Sequence, residues 1–157
     1  MKNWNTIEAD ENRILDKHYT QGRNGRSIDK AIIHHNAGNL TIPGIYQVWQ
    51  TRPASAHYQV DSNGRVADTA WHAGNWEANC TSIGIEHADI SNNPWRISDA
   101  CLDNGAHLTA AVCKYYGLGR PTWGHNVFGH KDFASTQCPA SLADTQHAAY
   151  MARAQSW

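Results

Sequence analysis

A histidine closing a short apolar run, Ala31-Ile32-Ile33-His34, and a distant His130 followed by Cys138 are the residues of this chain best suited to chemistry. Two neutral imidazoles and one thiolate suffice to hold a zinc ion with its fourth position open, the arrangement of catalytic rather than structural zinc sites. Such a site brings the pKa of water down toward neutrality, which points to a hydrolase. His34 at the end of a buried strand would be held rigidly, and His130 and Cys138 would come from one loop.

The elements that must position these residues read as follows. Residues 1–29 are polar and predict an ordered, mostly irregular lead-in that docks through Ile14, Leu15 and Tyr19. Lys30 to Asn36 predicts a buried strand. Thr41 to Arg52 predicts a helix, with Thr41 as N-cap, Pro43 in the first turn, and Ile45, Val48 and Trp49 on one face. Ser55 to Asp61 and Arg65 to Thr69 flank Asn63-Gly64, which predicts a hairpin with a two-residue turn. Thr81 to Ile90, around Gly84, predicts another central strand. Leu108, Ala111, Val112 and Tyr115 fall at helical spacing within Ser98 to Leu118, a helix ended by Gly117 and Gly119. Ser141 to Gln155 predicts a last, Ala-rich helix capped by Ser141. The fold class is α/β (α+β), a mixed central β-sheet flanked by helices.

At 157 residues the chain is one domain's worth, long enough to bury a core without disulfide staples. A formal charge of -1 leaves no basic field to attract nucleic acid, and no run approaches membrane-spanning length. Cys80, Cys101, Cys113 and Cys138 follow no disulfide framework, and at least three are expected to be reduced, a bridge from Cys80 staying open. The start, Met1-Lys2-Asn3-Trp4-Asn5, has no apolar leader core, so synthesis in the cytoplasm without a signal peptide is expected. Ten histidines and seven tryptophans are many for this length and suit metal sites, proton transfer and flat sugar-binding surfaces.

Five ordered motifs resemble a known family. Ile32-Ile33-His34-His35-Asn36-Ala37-Gly38, Ser55-Ala56-His57-Tyr58, Trp71-His72-Ala73-Gly74, Ser82-Ile83-Gly84-Ile85-Glu86, and Gly129-His130-Lys131-Asp132 through Cys138-Pro139 are similar, in order, to those of the zinc-dependent N-acetylmuramoyl-L-alanine amidases. These form the type-2 amidase and peptidoglycan-recognition-protein superfamily, and the likeness is strongest to bacteriophage endolysin catalytic domains. It spans roughly residues 30–140, followed by a C-terminal helical segment over 141–157, the whole read as one catalytic domain. The resemblance implies hydrolysis of the amide between N-acetylmuramic acid and the first L-alanine of the peptidoglycan stem peptide. It also implies one Zn2+ held by His34, His130 and Cys138, and action on the bacterial cell wall after release from the cell.

Glu86 is the expected proton carrier, because a carboxylate between strand isoleucines is costly to bury without a purpose. A structural Glu86 paired with Arg65 or Arg120 is the plain alternative. Relatives that use a Tyr two residues before Tyr58 contrast with Ala56 here, which shifts the burden to Glu86. Thr136 stands where many relatives have Lys and would offer a hydroxyl to the oxyanion. Lys131 would supply charge to the substrate or be salt-linked to Asp132. His72 and Trp76 are expected to contact substrate, Asn36 to lie near the metal strand on the substrate side, and His35 to be structural. Trp4, Trp49, Trp95 and Trp123 read as packing residues, and His18, His87, His107, His125 and His147 as surface or core histidines.

Two other readings share these residues. A recognition module would bind muropeptide without cutting it, but such relatives lose a metal ligand, and all three positions are filled here. An intracellular recycling amidase would share the chemistry, but its third ligand is more often Asp than Cys. A monomer is the default, with a separate wall-binding domain as an open partner.

Overall fold

A computed structural model of the chain describes residues 2–18, 22–68 and 75–157. In chain order the elements are β1 (Glu11–Asn12), β2 (Lys30–His35), α1 (Ile42–Thr51), β3 (Tyr58–Val60), β4 (Val66–Asp68), α2 (Trp76–Thr81) and β5 (Ser82–His87). A small hairpin of β6 (Asp89–Asn92) and β7 (Trp95–Ile97) precedes the long α3 (Asp99–Tyr115), β8 (Val127–Gly129) and α4 (His147–Ala154). The main sheet runs β1-β4-β3-β5-β2-β8, mixed as the sequence predicts. Its middle is parallel, β5 pairing with β2 and β3, and β8 pairing with β2.

β2 can be central because Ala31, Ile32 and Ile33 are fully buried and give both faces something to pack. Ala31 and Ile33 join the core under α3, with Ile85, Leu108, Val112 and Tyr150, while Ile32 packs on the other face with Ala78 and Phe133. Strand alternation therefore sends His34 to the face away from α3. On α3, Ser98 accepts the Cys101 N–H as N-cap, and Gly117 at φ +67 takes the left-handed turn after the helix.

Several expectations need correction. The lead-in is tied into the sheet by β1, and Trp4, Ile7 and Ala9 dock, whereas Ile14 is exposed; Leu15 is buried as expected, and Tyr19 lies outside the described residues. The hairpin turn is a three-residue loop in which only Gly64 has positive φ. The Asp61 carboxylate accepts the N–H groups of Asn63 and Arg65, and this side-chain turn holds the loop in place of paired left-handed residues. Thr81 ends a short helix capped by Asn75, so β5 starts at Ser82, and Ile90 belongs to the β6–β7 hairpin. Tyr115, last on the α3 stripe, points to solvent.

The C-terminal helix is split. Ala140–Ala143 is a 3-10 turn, and Ser141 caps nothing but gives its hydroxyl to Gln146 Oε1. That carboxamide is committed to Ile97, accepting its N–H and donating to its C=O, so the last helix starts only after Gln146. All four cysteines are free and buried, which removes the Cys80 bridge.

α3 approaches the sheet most closely at Gly105. A Cβ there would stand 2.2 Å from His87 Nε2, and the fully buried His87 ring has no room to retreat. Helix propensity alone would make Gly105→Ala stabilising by about 1 kcal/mol. The collision reverses the sign, and chemical denaturation is expected to show a loss of about 1–3 kcal/mol.

Candidate metal and active site

His34 ends the apolar run of β2 and is 2% exposed. Parallel pairing puts Glu86 of β5 opposite it, and on the other flank Ile33 is opposite Gly129, the last residue of β8. His130 follows at once, opening a 3-10 turn in which Asp132 Oδ2 accepts the Gly129 N–H at 2.8 Å. The chain then loops back, and the Lys131 N–H donates to the Cys138 C=O at 2.8 Å, so one closed loop presents both His130 and Cys138 to His34.

The ligating atoms of His34, His130 and Cys138 lie within 4.8 Å of one another. His34 Nδ1 is 3.8 Å from Cys138 Sγ, and the two imidazole rings are 4.6 Å apart between centroids. Zinc–nitrogen and zinc–sulfur bonds at tetrahedral angles would set an N···S separation of about 3.6 Å, so the donor set fits one such ion. Burial, then the neighbouring His130, holds the His34 imidazole well below its ordinary pKa, which keeps its lone pair available. Burial pushes the Cys138 thiol up, while the His35 N–H, 3.4 Å from Sγ, favours its thiolate.

Two further histidines brace the backbone of the strands that carry the site. His87 Nδ1 donates to the His34 C=O at 2.9 Å, which leaves Nε2 to accept from the Tyr150 hydroxyl at 3.1 Å. Burial brings His87 down to about 4, so it is neutral at physiological pH. His57 receives the Gly84 N–H at Nδ1 and sits beside the half-buried Arg23 guanidinium; burial, then Arg23, brings it to about 3.

Glu86 shares the cleft with the donor cluster. Its Oε2 accepts from Asn36 Nδ2 at 2.8 Å, and its Oε1 is 3.9 Å from His34 Nδ1. Burial pushes it up to about 8 against the opposing pull of the Asn36 hydrogen bond. Neither arginine of the structural alternative meets it: Arg65 pairs with Glu11, and Arg120 lines a separate cavity between α3 and α4. Thr136 Oγ1 accepts the Cys138 N–H at 3.2 Å and lines the cleft. His35 pairs with Asp89 at 2.9 Å and meets the edge of Trp95.

The cleft holds about 480 Å³, its far wall formed by Ile45 and Trp49 of α1 and by Arg52 just after it. Asn36 lines it, but the Asn36 carboxamide is turned to Glu86 and Gln59. Trp76 and Lys131 are exposed and do not line it, and Asp132 serves Gly129 rather than Lys131. His72 lies outside the described residues. Sequence reasoning missed Arg52 and Gln59. Arg52 is a cation at the end of the helix predicted to carry Trp49, and Gln59 is a polar residue inside an apolar strand, so each left a signal.

A family model described as N-acetylmuramoyl-L-alanine amidase matches residues 24–141. No curated protein sequence matches the chain. Among solved structures, PlyL is 16% identical with a TM-score of 0.72, over 92% of this chain and 96% of that one. The endolysin amidase LysCS of Clostridium intestinale is 15% identical, TM-score 0.65, over 90% and 97%. The Ph2119 endolysin of a Thermus scotoductus bacteriophage is 21% identical, TM-score 0.63, over 87% and 92%. These likenesses show a shared fold.

Opposite pH dependences follow for the metal-free protein. His87 has a folded pKa of about 4 against an ordinary 6.5, so its stabilisation is present above pH 6.5 and is lost as pH falls through 4. Glu86, raised from 4.5 to about 8, contributes stability below 4.5 that is lost as pH rises through 8. In urea titrations Glu86→Gln is expected to abolish the decline between pH 6.5 and 8 and to keep the acid-side loss. A decline that survives the substitution would mean Glu86 is not its source.

Proposed function

This chain belongs to the N-acetylmuramoyl-L-alanine amidase family, and from that premise we propose a zinc-dependent hydrolase of bacterial peptidoglycan. It would cut the amide between the lactyl group of N-acetylmuramic acid and the L-alanine of the stem peptide, acting on the cell wall as an endolysin does. The observation that carries this reading is the meeting of two imidazoles, a thiol and a carboxyl at the ends of adjacent parallel strands, open to one cleft.

Zinc held by His34, His130 and Cys138 would supply Lewis acidity to the scissile carbonyl and acidify water beside it. The protein's own part begins with Glu86. Beside a zinc charge its ionised form would be favoured over the neutral acid that burial favours in the metal-free protein. Its carboxylate then takes the proton of the attacking water, and the carboxylic acid so formed hands that proton to the departing alanine nitrogen. Thr136 faces the cleft as a neutral hydrogen-bond donor for the oxyanion. The wall of Ile45, Trp49 and Arg52 offers apolar surface and one cation to a short acidic peptide. Trp76 and Lys131 lie outside the cleft lining. Among the described residues no helix is long and apolar enough to cross a membrane.

Digestion of purified peptidoglycan tests the reading. The expected products are new N-terminal alanine without new reducing sugar ends, abolished by a zinc chelator and restored by zinc. Reducing ends would make the protein a glycosidase, and retained wall binding without product would make it a recognition domain. His130→Ala and Cys138→Ser are expected to lose zinc and activity together. Glu86→Ala is expected to keep zinc and lose about 10²–10⁴-fold in kcat, the range for a general acid–base group. Near-wild-type turnover by Glu86→Ala would move the proton transfer elsewhere.

A further inference from the structure

His34, Glu86 and Gln59 form one row across β2, β5 and β3: His34 is opposite Glu86, and Glu86 is opposite Gln59. Gln59 is fully buried and does not line the cleft. Its carboxamide faces that of Asn36 in a reciprocal pair, Asn36 Nδ2 donating to Gln59 Oε1 at 3.0 Å and Gln59 Nε2 to Asn36 Oδ1 at 2.8 Å. The remaining N–H of Gln59 goes to the Val60 C=O at 3.0 Å, and the remaining N–H of Asn36 goes to Glu86 Oε2 at 2.8 Å.

This arrangement has a direction. A backbone carbonyl can only accept, so Val60 obliges Gln59 to turn its NH2 group inward along the strand. That places Gln59 Oε1 against Asn36 and obliges Asn36 to present its NH2 on the same side, where Glu86 lies. Flipping either amide would set carbonyl against carbonyl and lose both bonds between them, together with the bond to Val60 if Gln59 turns or the bond to Glu86 if Asn36 turns. We propose that Gln59 is a positioning residue which, through Asn36, fixes a hydrogen-bond donor on Glu86 and so holds that carboxylate toward the His34, His130 and Cys138 cluster. The proposal rests on the amidase reading for what Glu86 does, but the relay itself is independent of it.

The test is a double-mutant cycle of Gln59→Leu and Asn36→Ala in the full chain, with zinc content, KM and kcat measured on peptidoglycan fragments. Releasing Asn36, and so loosening its hydrogen bond to Glu86, is expected to lower kcat by about ten- to a hundredfold for Gln59→Leu, with bound zinc unchanged. KM is expected to stay within about twofold, since the residue does not reach substrate. If Gln59 acts through Asn36, adding Gln59→Leu to Asn36→Ala costs little more, whereas a merely structural role gives losses that add. Gln59→Met carries the same test should the leucine variant not fold. A second readout needs no turnover: in the metal-free protein the Asn36 side-chain amide protons are expected to exchange slowly, and rapidly in Gln59→Leu. Unchanged kcat, additive losses or unchanged exchange would each overturn the relay. A wild type without amidase activity but with the exchange effect would sink the functional reading and leave the relay standing.

Discussion

In-register parallel pairing of Lys30–His35 with Ser82–His87 is the constraint on which the site depends, because it alone decides that His34 and Glu86 stand side by side on one face. The side-chain period along a strand is two, so a slip of one residue would bring Ile33 or His35 to that position and send His34 into the core under α3. The register is fixed by burial: Ala31 and Ile33 must meet the α3 core, and Ile32 must meet Ala78 and Phe133. An apolar tripeptide thus aims an imidazole. β8, pairing with β2 on its other flank, starts the loop that returns with His130 and Cys138.

Placing so many polar groups in a dry sheet costs free energy unless each finds a partner. The structure meets that cost with hydrogen bonds that also orient the site. The His34 carbonyl is held by His87, His87 by Tyr150, and the Tyr150 hydroxyl lies 2.8 Å from Thr109 Oγ1. Gly105 belongs to this column as much as the polar residues do, since its missing side chain is the space the His87 ring occupies. Fold stability and ligand geometry are therefore two readings of the same contacts.

The parts of this arrangement that are local in sequence were legible. The apolar run into His34, the Thr41 cap of α1 and the start of the α3 helix at Ser98 act through neighbours in the chain, so the residues themselves announce them. The break between the Ala140–Ala143 turn and α4 was not legible, because Gln146 is drawn away by Ile97, a residue distant in sequence. The hairpin turn was misread for a related reason: Asn63-Gly64 has the composition of a two-residue turn, but the carboxylate of Asp61 ties the loop. In the site, the donor set could be named from residue types, whereas the turn of the Asn36 carboxamide toward Glu86 could not. That depends on Gln59, brought beside Glu86 only by strand pairing.

His35 shows how the two faces of the sheet are joined. Its side chain leaves the cleft cluster for Asp89 and Trp95 on the β6–β7 hairpin, an element the sequence did not predict. Its backbone N–H meanwhile points at Cys138 Sγ, on the loop that closes the donor set. Displacing β6–β7 would therefore move His35, and with it the backbone group that favours the thiolate form of Cys138. Asp89 is buried and its N–H is bonded to the Gly38 carbonyl just beyond β2, so the hairpin is anchored to the strand that carries His34. The second histidine of the His34-His35 pair thus acts on the metal face through its main chain and on the opposite face through its ring.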